Sequence, residues 1–184
     1  MSLHSNRPSD RVSIRDIAMI GIMVAVIEVS KFILSGMPNI ELTSFWLIMF
    51  TLTFGWKVAL LVPVLILLEG TLYGMHIWWI MYLYAWPLLV LIAWIFRRNT
   101  SPVLWAIISG TFGLCFGALC SIPYFFIGLS SGGLSAGFRS MVTWWIAGIP
   151  WDLIHCAGNF VLMLVLYHPI SKVMRRVRNL PPEN

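Results

Sequence analysis

The stretch IWWIMYLYAWPLLVLIAWIF, residues 77–96, decides the fold, because it runs its whole length without a charged side chain. About 20 such residues carry a helix across the roughly 30 Å hydrocarbon core of a bilayer. Two further runs, Ile17–Phe32 and Val58–Leu68, are almost as free of charge. Over the 184 residues, 59% are hydrophobic and 10% charged, whereas soluble chains hold about 45–50% apolar and about 25% charged residues. The mean hydropathy of +0.86 agrees. A soluble protein with buried helices needs far more polar surface, so the chain reads as a polytopic membrane protein.

In lipid each span must satisfy its own backbone, and no repeated ten-residue alternation points to a barrel, so the expected class is all-α. Six spans are predicted, at about 15–34, 42–55, 57–72, 77–96, 103–127 and 141–167, forming a six-transmembrane-helix bundle with the second and third spans short. Residues 1–184 form one membrane domain and leave no room for a separate catalytic domain. The polar start, Met1–Asp10, is followed by an apolar segment lacking a small-x-small cleavage pattern, which predicts a retained first helix. Cys115, Cys120 and Cys156 all fall in apolar helical sequence, so no disulfide framework is expected.

Placing both termini in the cytoplasm puts Arg7, Arg11, Arg15, Lys57, Arg97, Arg98, Lys172, Arg175, Arg176 and Arg178 on that side. Only Lys31 and Arg139 of the twelve basic residues then face outward, as the positive-inside rule requires. The net charge of +5 calls for no nucleic-acid partner; the basic tail after Pro169 fits anionic headgroups of the lipid bilayer. On the outer side the Gly/Ser-rich stretch Gly128–Ser140 reads either as a flexible lid or as a plain connection.

Charge in apolar sequence marks the candidate chemistry, since a bare charge at mid-membrane costs at least a few kcal/mol. Glu28 and Lys31 stand three apart and read as an ion pair on one helix. Glu41 precedes the second span and Glu69 ends the third. Asp152, His155 and Asn159 follow Pro150 at offsets of three and four, which puts them on one helix face. That face either hydrogen-bonds a ligand or forms a polar seam to span one through Glu28 or Lys31. His155 and His76 lack a third ligand at zinc spacing, so no metal site is expected.

Aromatic residues crowd the outward half, among them Trp79, Tyr82 and Trp145. Some belong to an interfacial belt, and the rest suit the wall of a cavity for a large, ring-shaped or amide-bearing ligand. Two stripes of small residues, Ala18/Gly21/Ala25 in span one and Gly110/Gly113/Gly117 in span five, permit close helix contact, within the bundle or with a second protein.

Taken in order, Pro38-Asn39-Ile40-Glu41, Leu68-Glu69-Gly70 with Tyr73-Gly74, and Pro150-Trp151-Asp152-Leu153-Ile154-His155 leading to Asn159 make residues 12–178 resemble the substrate-binding S component of an energy-coupling factor (ECF) vitamin transporter. The resemblance implies a multi-pass protein of a prokaryotic cell membrane that binds a small-molecule vitamin and docks on a transmembrane coupling protein carried by two cytoplasmic ATPase subunits. It implies docking through an Ala-x-x-x-Ala-like stripe, here Ala18, Gly21 and Ala25, with Gly21 in place of the first alanine. The chain has no P-loop, so ATP hydrolysis falls to the partners and no enzyme activity is expected of it. The nearest likeness is to carriers of cobalamin, with a queuosine precursor or pantothenate as alternatives, and no permanently bound cofactor is implied. Asn39, Glu41, Trp79, Tyr82, Trp145, Asp152, His155 and Asn159 are the substrate-binding candidates. A reading of a different class is a membrane scaffold subunit whose polar face only packs helices.

Overall fold

A computed structural model of the chain describes residues 12–178 and is all-α. Helix α1 (Ile14–Leu34) opens with a reciprocal cap. The Ser13 hydroxyl accepts the Asp16 N–H at 3.2 Å, and the Asp16 carboxylate accepts the Ser13 N–H at 2.9 Å, which satisfies donors that a helix start leaves orphaned. The same carboxylate accepts from Lys57 at 2.7 Å. Helix α1 buries Met23, Val24 and Ile27 and leaves Ile17, Ile22, Val29 and Phe32 exposed, as a helix with one face toward lipid does.

Helix α2 (Thr43–Phe54) is apolar all round and buried on nearly every side, the signature of a helix inside a bundle. Gly55, at φ +71°, ends it, and a 3₁₀ turn, Gly55–Leu60, leads directly into α3 (Leu61–Tyr73). Helices α1 and α3 run parallel, α1 being tied at its start to the 3₁₀ turn before α3 by Asp16–Lys57 and at its end to α3 by Lys31–Glu69. Gly74, at φ +91°, turns the chain into α4 (Ile77–Ile95). There the Trp79 indole donates to the Ile66 carbonyl at 2.7 Å. Helix α5 (Pro102–Cys120) is capped by Ser101 and runs on through Ser121 into α6 (Ile122–Val177).

The expectation of a six-transmembrane-helix bundle is corrected here. Among the described residues four helical stretches, not six, are long and apolar enough to cross a membrane: Ile14–Leu34, Thr43–Tyr73, Ile77–Ile95 and Pro102–Val177. The segments proposed as separate spans at 42–55 and 57–72 are joined by the 3₁₀ turn with no polar loop between them. Those proposed at 103–127 and 141–167 belong to one stretch, and the proposed lid is helical except at Gly132 and Gly133. The glycines misled because most of them serve contact rather than flexibility. A Cβ at Gly128 would stand 2.5 Å from the Ala136 carbonyl oxygen and one at Gly137 2.9 Å from that of Phe125. Only Gly133, at φ +74°, takes a left-handed conformation, and there the stretch folds back on itself.

The folded-back limb lies antiparallel to α5. A Cβ at Gly110 would meet Phe160, at Gly113 the His155 carbonyl, and at Gly117 the Asp152 carboxylate, so the glycine stripe of α5 is internal packing. The end of α6 returns to the end of α2, where Arg178 donates to the Thr53 carbonyl and Thr53 lies 3.8 Å from Met174 Sδ. Lys57, Arg97, Arg175 and Arg178 thus gather at one end of the bundle, the basic end; Arg7 and Arg11 lie outside the described residues. The opposite end holds Lys31, Glu41, Glu69, Asp152 and His155.

Candidate ligand-binding site

At the end away from the basic residues, two adjoining chambers share Asn39, Tyr82, Phe116 and Asp152 as walls. The upper chamber, about 700 Å³, is otherwise lined largely by aromatic and small residues, including Trp78, Cys120, Tyr124, Trp144, Gly148 and Trp151. The lower, about 230 Å³, is polar, and Lys31, Glu41, Thr43, Trp86 and His155 complete it.

Helical spacing builds the walls. On α4 the i, i+4 series Trp78, Tyr82, Trp86 forms a row of contacting rings, the first pair edge-to-face and the second tilted, with centroids 5.2 and 5.1 Å apart. Trp86 continues to Phe116 of α5 at 5.5 Å, and Phe116 meets the edge of the His155 ring at 5.1 Å. Tyr124 and Trp144 stack at 4.7 Å across the two limbs of the folded-back stretch. On α6, Gly148, Asp152 and His155 recur at helical intervals and so face the same space.

The polar floor is held from several elements. Glu41 caps α2, accepting from the Thr43 N–H, from the Ser44 N–H at 3.2 Å and from the Ser44 hydroxyl at 2.7 Å. Its Oε1 also lies 3.1 Å from Nε2 of His155. Burial pushes the Glu41 carboxyl up, but the hydrogen bond and charge of His155, with the Ser44 and Thr43 donors, outweigh it and hold the group at about 2. Lys31 reaches not Glu28 but Glu69, whose side chain is completely buried. Asp152 accepts the Gly117 N–H on Oδ1 at 2.9 Å.

Among the described residues, two buried polar atoms on the chamber walls have no hydrogen-bond partner, Asp152 Oδ2 and the Trp86 indole nitrogen. Leaving such a group unpaired costs on the order of 1–3 kcal/mol.

Of the eight candidates, Asn39, Glu41, Tyr82, Asp152 and His155 line the chambers. The other three stand elsewhere. Trp79 turns toward α3, bonded to the Ile66 carbonyl and lining an apolar groove between α3 and α4. Trp145 is exposed beside the chambers. Asn159 lies one turn below His155, buried against α5, its amide nitrogen 3.4 Å from the Ser109 carbonyl oxygen. The polar face of α6 is therefore divided, with Asp152 and His155 lining the cavity and Asn159 in a seam, though the seam is to α5 and not to α1. Trp86, Phe116 and Lys31 also line the cavity; the i+4 spacing from Tyr82 was a signal for Trp86, whereas nothing local marks Phe116.

Ala18, Gly21 and Ala25 are exposed, and a Cβ at Gly21 would have no atom within 4 Å. Among the described residues the α1 stripe, unlike that of α5, is left uncovered. Compared with known protein families, curated proteins and solved structures, the chain matches none of them. On its own structure it is an all-helical, multi-pass membrane protein, with an architecture consistent with a transport role.

Proposed function

We propose that this chain is the substrate-binding membrane subunit of an ATP-driven importer of the energy-coupling factor type. The observation that carries the reading is the aromatic, two-chambered cavity at the end opposite the basic residues. With the basic end in the cytoplasm, this cavity faces outward and is placed to capture a solute. The exposed Ala18/Gly21/Ala25 stripe supports the second half of the reading, because it leaves a closely approachable helix face for a coupling protein whose two ATPase partners hydrolyse ATP. Catalysis is assigned to those partners and none to this chain.

Size and charge favour a base-like ring over cobalamin. Cavities of about 300–1,000 Å³ suit ligands of drug size, and a corrin with its side chains is far bulkier than that. Stacked tryptophans and tyrosines suit a flat heterocycle, and among the micronutrients the resemblance allows, a queuosine precursor has that shape. The test is equilibrium binding of the purified protein to queuine, 7-aminomethyl-7-deazaguanine, pantothenate and cobalamin, read by quenching of its ten tryptophans. Saturable binding of a deazaguanine is the expected result; binding of cobalamin alone would overturn the choice of ligand. ATP-dependent uptake in a transport-deficient host separates the importer from a scaffold subunit, which would support none.

A further inference from the structure

We infer that the ligand is a cation, a flat ring bearing a protonated amine, with the ammonium held at Asp152 and a ring acceptor taking the Trp86 N–H. The inference rests on the reading of the cavity as a substrate site and adds the charge and polarity of what fills it.

Four acidic or basic side chains line the lower chamber: Lys31, Glu41, Asp152 and His155. Lys31 is committed to Glu69, outside the lining, and His155 lies against Glu41. Among the described residues no cation pairs directly with Asp152. One oxygen takes a backbone N–H from Gly117; the other accepts nothing, although the residue is only 5% exposed. Buried carboxylates are ordinarily paired, and this one borders both chambers. It therefore stands where a ligand's positive charge would meet it from either side.

Trp86 supplies the complementary half. Its ring is 4% exposed, its N–H has no acceptor, and it belongs to the lower chamber. A buried indole usually finds a partner for that N–H. A ligand with a donor cation and an acceptor edge satisfies both orphans at once, beside the Tyr82 and Phe116 rings that line both chambers. A neutral ring can at best donate a hydrogen bond to the Asp152 oxygen and leave its charge uncompensated, and an anionic ring would be repelled.

The test compares two probes of nearly one shape, cationic 7-aminomethyl-7-deazaguanine and its neutral 7-cyano counterpart, titrated against the full chain in lipid nanodiscs. The amine should bind tighter by on the order of thirtyfold, the range of a charge-assisted hydrogen bond. Asp152→Asn, which keeps an acceptor for the Gly117 N–H, should remove that preference while leaving the cyano probe nearly unchanged. Trp86→Phe should weaken both probes alike. Equal or tighter binding of the cyano probe by the wild-type protein, or an unchanged ratio in Asp152→Asn, would overturn the cationic assignment and leave the cavity reading standing. Gly148→Phe tests the cavity itself, since a Cβ there points into open space and the ring would fill the upper chamber. If it leaves both titrations intact, or if neither probe binds the wild-type protein, the cavity reading with these bases falls and the cationic assignment falls with it.

Discussion

Asp152 lies so close against Gly117 that a Cβ at position 117 would stand 2.2 Å from its Oδ2 and 2.7 Å from its Cγ, far inside van der Waals contact. The glycine is thus what lets the carboxylate accept the backbone N–H and still border the cavity. In Gly117→Ala the carboxylate must swing away. Ligand affinity should fall by about tenfold or more, with a smaller loss of thermal stability. The check is a titration beside a melting curve; unchanged affinity would show that the ligand does not use Asp152.

Substitution on the outer stripe should have the opposite profile. Gly21→Leu adds bulk where no neighbouring atom lies within 4 Å, and Ala25 is likewise exposed. Overpacking of the bundle is therefore not expected. Both variants should melt and bind ligand like the wild type, yet fail to co-purify with a coupling protein and fail in ATP-driven uptake. Normal uptake by either would remove this face from consideration.

Lys31 and Glu69 should show strong energetic coupling. Glu69 is wholly buried while the Lys31 side chain keeps about a quarter of its exposure. Removing only the lysine strands a carboxylate, at a cost of about 3–5 kcal/mol. Lys31→Met should therefore lower the melting temperature sharply, and adding Glu69→Gln should recover much of the loss. Strictly additive effects of the two changes would refute the coupling.

Acid stability should carry the signature of Glu41. Its carboxyl is depressed from an ordinary value of 4.5 to about 2, so its contribution to stability is complete above about pH 4.5 and disappears as pH falls toward 2. The groups facing it are His155, Ser44 and Thr43. Melting temperatures measured from pH 7 down to pH 3 should fall across the lower part of that range, and the fall should be shallower in Glu41→Gln. Identical slopes would assign the acid loss to other groups.

Much of this architecture is written in composition and spacing. The absence of charge from residues 77–96 announced a membrane helix, and offsets of three and four put Asp152 and His155 on one face, where the structure has them. What escaped the sequence depended on contacts between distant segments. Glu28 is the nearer partner for Lys31 along the chain, yet Lys31 pairs with Glu69 because α1 and α3 run parallel. Gly128 and Gly137 have the composition of a loop, but their missing side chains bring two helical limbs together. Trp79 and Tyr82 are neighbours on α4, and only the position of α3 shows that one faces the groove and the other the cavity.

The pairing of Lys31 with Glu69 also has a temporal side. The two residues are 38 positions apart, and at about 5–20 residues per second a ribosome needs roughly two to eight seconds to make that stretch. Throughout the interval α1 carries an ammonium group whose partner has not been made, in a segment that is otherwise ready to enter lipid. Its final burial must await α3, so α1 settles only after a helix made later than itself.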